Sequence, residues 1–269
     1  SLDALGYVES RAAILETLNK SIAAATPPIQ LALKDTLATL YYFMNRPDDA
    51  RKTLEDLGYV EKWSFVAGPF GSKDNSNVIE KRFAPERSLK SLEFAAEDGE
   101  KVQVHTDVKV PHRELNLSTH FPGASGVFYA FTNLDSDSDQ EVILGVSAAA
   151  PYRAFLRGLP VIAEPEEDVF RRASGELIRT RLVKGSNPLM LKLATSGTLS
   201  VRVLSTEYGA PSGVRVKPLS TEAMAASSIT PVRGFLMAQR APGAVADLFL
   251  KRLEPEQRKI AKGLSDVVL

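Results

Sequence analysis

The chain has 269 residues, with 33 basic against 33 acidic side chains, no cysteine, and 44% hydrophobic and 25% charged residues. That is an ordinary globular composition with enough apolar material for a sizeable core. Balanced charge argues against a protein built to grip the phosphates of nucleic acid. The lack of thiols excludes disulfides and thiolate metal sites, and no stretch approaches the roughly 20 apolar residues of a spanning helix, so membrane insertion is not expected.

The first 58 residues are helical in pattern. Leu5, Val8, Ala12, Leu15 and Leu18 recur at three- and four-residue steps, the stripe of an amphipathic helix. Thr26-Pro27-Pro28 ends it and opens a second helix, because proline is tolerated best in the first turn. That helix carries Leu31, Leu33, Leu37, Leu40, Tyr41 and Met44. Asn45-Arg46-Pro47-Asp48 reads as a turn, and Asp49 to Leu57 as a third, short helix stopped by Gly58. A helix, a four-residue turn and a helix starting Asp-Asp-Ala-Arg resemble one tetratricopeptide unit; a plain helical hairpin fits equally well.

From Tyr59 to Pro218 the period changes to two. Strands are expected at Trp63–Val66, Val102–His105, Phe128–Thr132, Glu141–Val146, Arg153–Leu156, Leu177–Val183, Leu189–Leu193 and Leu199–Val203. Clusters of Gly, Pro, Asn and Asp separate them, among them Gly68-Pro69, Asp135–Asp139 and Lys184–Pro188. Short strands with turn signals and no intervening helices indicate an antiparallel β-sandwich or barrel. From about Leu219 to Leu269 the pattern is helical again. The expected organisation is therefore α+β: residues 1–58 helical, 59–218 a β-sandwich, and 219–269 a C-terminal helical segment continuing into a longer parent chain. The two halves are expected to form one body, since Tyr59, Val60 and Trp63 follow Gly58 without a linker.

Chemistry-bearing residues are sparse. Gly123-Ala124-Ser125-Gly126 lacks the spacing of a nucleophile elbow. His105, His112 and His120 lie within sixteen residues, but their spacing matches no helical metal pair; His112 and His120 could meet across a hairpin. Asp135, Asp137 and Asp139 alternate like the start of a calcium loop, but the sixth position is Gln140 instead of glycine and the twelfth is Val146 instead of glutamate, which excludes an EF-hand. A calcium ion on a β-loop is the alternative to a solvated turn there. Glu164-Pro165-Glu166-Glu167-Asp168 is read as an exposed acidic loop in preference to a carboxylate pair for glycoside hydrolysis. No phosphate-binding or dinucleotide motif is present, so no cofactor is expected.

The run Trp63-Ser64-Phe65-Val66-Ala67-Gly68-Pro69-Phe70, with Phe83-Ala84-Pro85-Glu86 after it, resembles the opening of a galactose-binding-like jelly-roll module. In order there follow Leu115-Asn116-Leu117, Phe128–Thr132, Glu141–Val146, Ala154-Phe155-Leu156-Arg157-Gly158-Leu159-Pro160-Val161 and Lys184–Leu193, each similar to a strand of that module. Such modules occur in bacterial proteins that join tetratricopeptide helices to transglutaminase-like domains. The departures are that Ser147-Ala148-Ala149-Ala150 replaces a polar Ser-Asp-Asp-Gly, Phe155 replaces a tryptophan, Arg157 an asparagine, and Ser186 a tryptophan. The absence of an active-site constellation, together with the repeat-like helices, points to a non-catalytic adaptor contacting another protein or another domain of the parent chain. The alternatives are a carbohydrate-binding module for an envelope glycan and an accessory region of an enzyme whose catalytic domain lies elsewhere in the parent. For a glycan, Trp63, Tyr129, Tyr152 and Phe155 are the candidate stacking rings and Arg153 and Arg157 the candidate polar groups. The resemblance also points toward a periplasmic or secreted bacterial protein.

Overall fold

The computed structural model describes residues 2–55, 57–71, 79–87, 92–96, 99–110, 113–164 and 176–217. The expected C-terminal helical segment, 219–269, lies outside them. The chain starts with three helices, α1 (Leu2–Ala24), α2 (Pro27–Phe43) and α3 (Pro47–Glu55). The half-buried side chains of α1 include Arg11, Leu15, Leu18 and Ile22, one stripe at helical spacing, whereas Ala12 is turned to solvent. Pro27 opens α2. Asn45 ends its turn in the left-handed conformation (φ 57°), and the Arg46 amide donates back to the Tyr41 carbonyl at 2.9 Å, the usual way a helix closes its last carbonyls. The third helix begins two residues earlier than the pattern indicates, at Pro47, with Asp48 and Asp49 in its first turn, where they favour the helix dipole.

The strands form two antiparallel sheets. One contains β1 (Lys62–Phe70), β2 (Gln103–Lys109), β4 (Val127–Ser136), β6 (Tyr152–Leu156), β7 (Leu159–Glu164), β9 (Gly185–Leu193) and β11 (Val214–Lys217). Its order is β2-β1-β4-β9-β6-β7, with β11 paired to the far half of β4. The other contains β3 (Leu115–Asn116), β5 (Gln140–Ala148), β8 (Glu176–Leu182) and β10 (Thr198–Ser205), ordered β3-β10-β5-β8. Two four-residue helices complete the described elements, α4 (Ala84–Arg87) and α5 (Leu117–His120). The antiparallel β-sandwich expected from the sequence is present; β11 goes beyond the expected strands. The β6–β7 hairpin turns on Arg157 and Gly158, both at positive φ (53° and 76°), as a two-residue turn matched to strand twist requires.

Alternation along the strands sorts the side chains into three cores. Between the sheets lie Trp63, Val66, Phe128, Ala130, Val142, Leu144, Val146, Leu189, Leu191, Leu193, Leu199, Val201 and Val203, closed at one end by Leu117 and Phe121 of the α5 region. The outer face of the four-stranded sheet contributes Ile143 and Leu204 to a second cluster with Leu31, Ala38, Ala50, Leu54 and Leu57, so the helices lie on that sheet. The outer face of the seven-stranded sheet contributes Phe65, Phe70, Tyr129, Phe131, Phe155 and Met190 to a third, closed over by Phe83 and Phe94.

The junction between helices and sandwich is made by main chain. Gly58 accepts from the Val203 amide and Val60 donates to the Val201 carbonyl, both at 2.8 Å. Gly58 sits at φ 66°, and a Cβ there would lie 2.1 Å from the Val203 carbonyl oxygen. Only glycine allows this approach.

Candidate functional site

The four aromatic rings selected from the sequence as stacking platforms are all buried. Trp63 is 1% exposed in the inter-sheet core, Tyr152 lies in the same core, and Tyr129 and Phe155 lie in the cluster on the outer face of the seven-stranded sheet. None presents a free face, so a sugar ring could not stack on them in this conformation. Their rings instead supply the apolar contact area that holds the layers together. Arg157 is half-buried in the β6–β7 turn, where its amide donates to the Pro188 carbonyl at 2.7 Å.

Asp135, Asp137 and Asp139, the residues of the calcium alternative, each have a cationic partner. Asp135 pairs with Lys217 at 2.6 Å, Asp137 with Arg215 at 2.5 Å and Asp139 with Arg181 at 3.1 Å. Asp139 also accepts from the Lys184 amide at 2.8 Å, and this bond, helped by Arg181, holds its carboxyl below the usual range. Each carboxylate thus answers a cation on a neighbouring strand instead of turning toward a shared centre. Among the described residues no three acidic or histidine side chains are grouped to hold a metal ion.

His105 of β2 and His120 of α5 come together, with ring centroids 5.3 Å apart, and His105 packs edge-on against Phe121 at 5.0 Å. Gln103 lies 2.8 Å from the His105 Nε2. Partial burial and the neighbouring His105 hold the His120 imidazole below its ordinary pKa. His112 and the acidic run beyond Glu164 lie outside the described residues.

Sequence reasoning missed the two polar networks that the fold assembles. The first centres on Lys192. Strand register sets Tyr129 of β4 opposite Lys192 of β9, and Lys192 opposite Arg153 of β6, giving one row across three strands. The next row runs Phe131, Met190, Phe155. The Lys192 side chain has no solvent exposure and pairs at 2.7 Å with Glu86 of α4, whose own side chain is 3% exposed. Tyr129 donates its hydroxyl to the same Glu86 oxygen, Lys192 also donates to the Lys81 carbonyl, and Arg153 pairs with Glu80. The Lys192 ammonium lies 5.2 Å from the Phe83 ring centre.

Burial lowers the pKa of Lys192, opposed by the Glu86 carboxylate. Burial raises that of Tyr129 well above its ordinary value, and the Glu86 charge adds to the rise. Either charge alone would be costly here; together, with their hydrogen bonds satisfied, they are tolerated.

The second network docks the helices. Asp35 of α2 accepts from the Tyr59 hydroxyl at 2.6 Å. It pairs with Arg202 of β10 at 2.9 Å and with Arg113 at 3.4 Å. The Arg202 guanidinium lies 5.0 Å from the Tyr59 ring centre, and burial pushes the Tyr59 hydroxyl upward. A strand residue such as Arg202 or Lys192 gives no sign in the sequence of facing another layer. Each stands at the outward-reading position of an alternating strand, opposite the face of Leu191 or Val201, where a cation reads as solvated.

An open depression of about 390 Å³ lies beside β2, lined by Leu92, Glu93, Lys101, Val102, Gln103, Val104 and Thr106. None of these residues belongs to either network.

No protein-family model matches the chain, and no curated protein matches it. Among solved structures it is similar to a β-glucosidase from Kluyveromyces marxianus in complex with glucose, at 15% identity and a TM-score of 0.30 over 39% of this chain and 14% of that one. A second structure of a β-glucosidase from that organism gives 16% and 0.32 over 53% and 16%. An anti-sigma factor domain-containing protein gives 10% and 0.35 over 61% and 48%. The matched regions span less than half the length of each of those proteins. At TM-scores this low the likenesses transfer neither ligand nor activity, and what stands is two antiparallel sheets in a β-sandwich-like domain preceded by helices.

Proposed function

We propose that the chain is a non-catalytic binding module, an adaptor that contacts another protein or another domain of its parent chain through its helices. The observation that carries this reading is the apolar surface of the helical layer. Phe43 is 81% exposed and Ile29 54% exposed on α2, and Ile14 is exposed on α1. Ile29 and Phe43 are about four turns apart, hence on nearly the same side of α2. Single exposed apolar residues are ordinary, but several on one helical layer favour a partner. The Asp35, Tyr59 and Arg202 groups are engaged with one another across packed layers, which suits a structural role. We further propose that the sandwich is of the galactose-binding-like jelly-roll kind and the helices a single tetratricopeptide-like pair. In support, the quoted pieces of that resemblance from Trp63 to Leu193 fall on strands or strand pairs, apart from Phe83–Glu86, which leads into the short helix α4.

The test is a photo-crosslinking residue at position 43 or 29, introduced in the native host. A discrete crosslinked product, lost when the probe sits instead at exposed Lys20 on α1, is the expected result. A glycan array run with and without calcium provides the opposing outcome. Reproducible binding of one sugar class with no crosslink would replace the adaptor reading with the carbohydrate-binding one.

A further inference from the structure

The segment from residue 79 to 87 is held to the seven-stranded sheet in an unusual way. Its contacts with Lys192, Tyr129 and Arg153 all run through sheet side chains: Lys192 to Glu86 and to the Lys81 carbonyl, Tyr129 to Glu86, Arg153 to Glu80. Among the described residues it adds no strand to the sheet. Its aromatic anchor, Phe83, is buried among Phe70, Phe94 and the other rings of the outer face. A central aromatic in an apolar pocket, with a fully buried charge pair on one side and a pair whose acid is 56% exposed on the other, is the anatomy of a recognised peptide more than that of a sheet element.

The spacing is regular. Glu80, Phe83 and Glu86 follow one another at three-residue steps. They face two cations that register sets side by side on adjacent strands, Arg153 opposite Lys192. Like charges directly opposite one another repel, so this row demands two carboxylates, and the segment supplies two. An apolar row, Phe131, Met190 and Phe155, lies next to it. The face therefore complements a segment with an aromatic residue between two acids.

We propose that this face of the sheet is a docking site for a Glu-x-x-Phe-x-x-Glu segment of a partner protein, and that residues 80–86 occupy it in cis. This deepens the binding-module reading, on which it rests for the existence of a partner. The cis segment competes at the high effective concentration of a tethered ligand, so the site opens to a partner only when its own segment is displaced.

The test uses the full-length chain and a fluorescently labelled peptide of residues 79–87, followed by anisotropy. The unaltered chain should bind the peptide weakly. A chain with Phe83→Ala and Glu86→Gln, which weakens the cis segment while leaving the sheet face whole, should bind it saturably. Adding Lys192→Met to that background should weaken binding at least about tenfold, and a peptide with both glutamates changed to glutamine should lose binding to a similar degree. Equal binding of the glutamine peptide, or indifference to Lys192→Met, would overturn the proposal. So would a Phe83→Ala, Glu86→Gln chain whose sheet no longer folds, because the segment would then be an obligate part of the core. Concentration-dependent dimers of the unaltered chain that the peptide dissociates would identify a second copy as the occupant and overturn the assignment to a different partner. The helix crosslinks at positions 29 and 43 are independent of this face, so the two proposals can fail separately.

Discussion

Replacing Asp35 by alanine should loosen the helical layer from the sandwich while leaving the two sheets intact. One carboxylate there serves the Tyr59 hydroxyl at 2.6 Å, the Arg202 guanidinium at 2.9 Å and Arg113 at 3.4 Å. Arg202 has a side chain only 9% exposed, so its charge would be stranded against Ile143, Leu204 and the Tyr59 ring. Breaking a buried ion pair by removing one partner costs about 3–5 kcal/mol. Asp35 and Arg113 retain some solvent access, and water screens part of the loss, so about 2–4 kcal/mol is the expected destabilisation.

For a chain of this size that corresponds to a fall in melting temperature of roughly 5–12 °C. Hydrogen exchange is the sharper assay. Amides of α2 and α3 should lose protection by a larger factor than those of β4, β5 and β9, since the inter-sheet core does not involve Asp35. Pairing Asp35→Ala with Arg202→Met should recover part of the loss, because no buried charge is then left alone. Refutation would be a cost below about 1 kcal/mol with unchanged α2 exchange, or a cycle in which the two substitutions are simply additive.

Gly58→Ala should cost more than the about 1 kcal/mol of left-handed strain alone, because its Cβ would press on the Val203 carbonyl and part the main-chain bonds at the junction; denaturant unfolding measures this, and an unchanged midpoint would contradict it. The His120 pKa is lowered in the folded chain, so the unfolded state takes up its proton first, and stability should decline as pH falls below about 6.5. Melting curves of His120→Gln should lack that component; an identical pH slope would show that other groups produce it. At the alkaline end Tyr59 and Tyr129 are both raised, so the unfolded state loses their protons first and stability should decline above about pH 10. Tyr59→Phe should flatten that decline in denaturant titrations. Trp63, the single tryptophan, is buried, and its indole nitrogen has no partner among the described residues, so its emission should be blue-shifted and resist quenching by acrylamide until the sandwich unfolds.

Local pattern carried most of the element structure. Two-residue alternation at Glu141–Val146 and Leu199–Val203 marks β5 and β10 because branched side chains must leave a strand on opposite faces. The Thr26-Pro27-Pro28 and Asn45-Arg46-Pro47 signals mark the helix ends because proline and left-handed asparagine limit the backbone wherever they stand. β11 escaped notice because Val214-Arg215-Val216-Lys217 is too short for its alternation to stand out, and its pairing with β4 is made by a strand nearly eighty residues away.

The candidate sites were a different matter. Tyr129, Arg153 and Phe155 were singled out from the sequence as surface groups for a sugar. They do lie on one face of one sheet, but folded under the chain's own residues 80–86, and Lys192, the residue that joins them, was not among those selected. Composition and period determined by themselves that this protein is a set of helices followed by an antiparallel β-sandwich, since both depend on neighbours within a few residues. Tertiary structure alone decided which charges meet, because strand register sets Tyr129, Lys192 and Arg153 in one row from three distant segments. Their stability then depends on Glu86 and Glu80, delivered from a fourth segment that no local pattern connects to them.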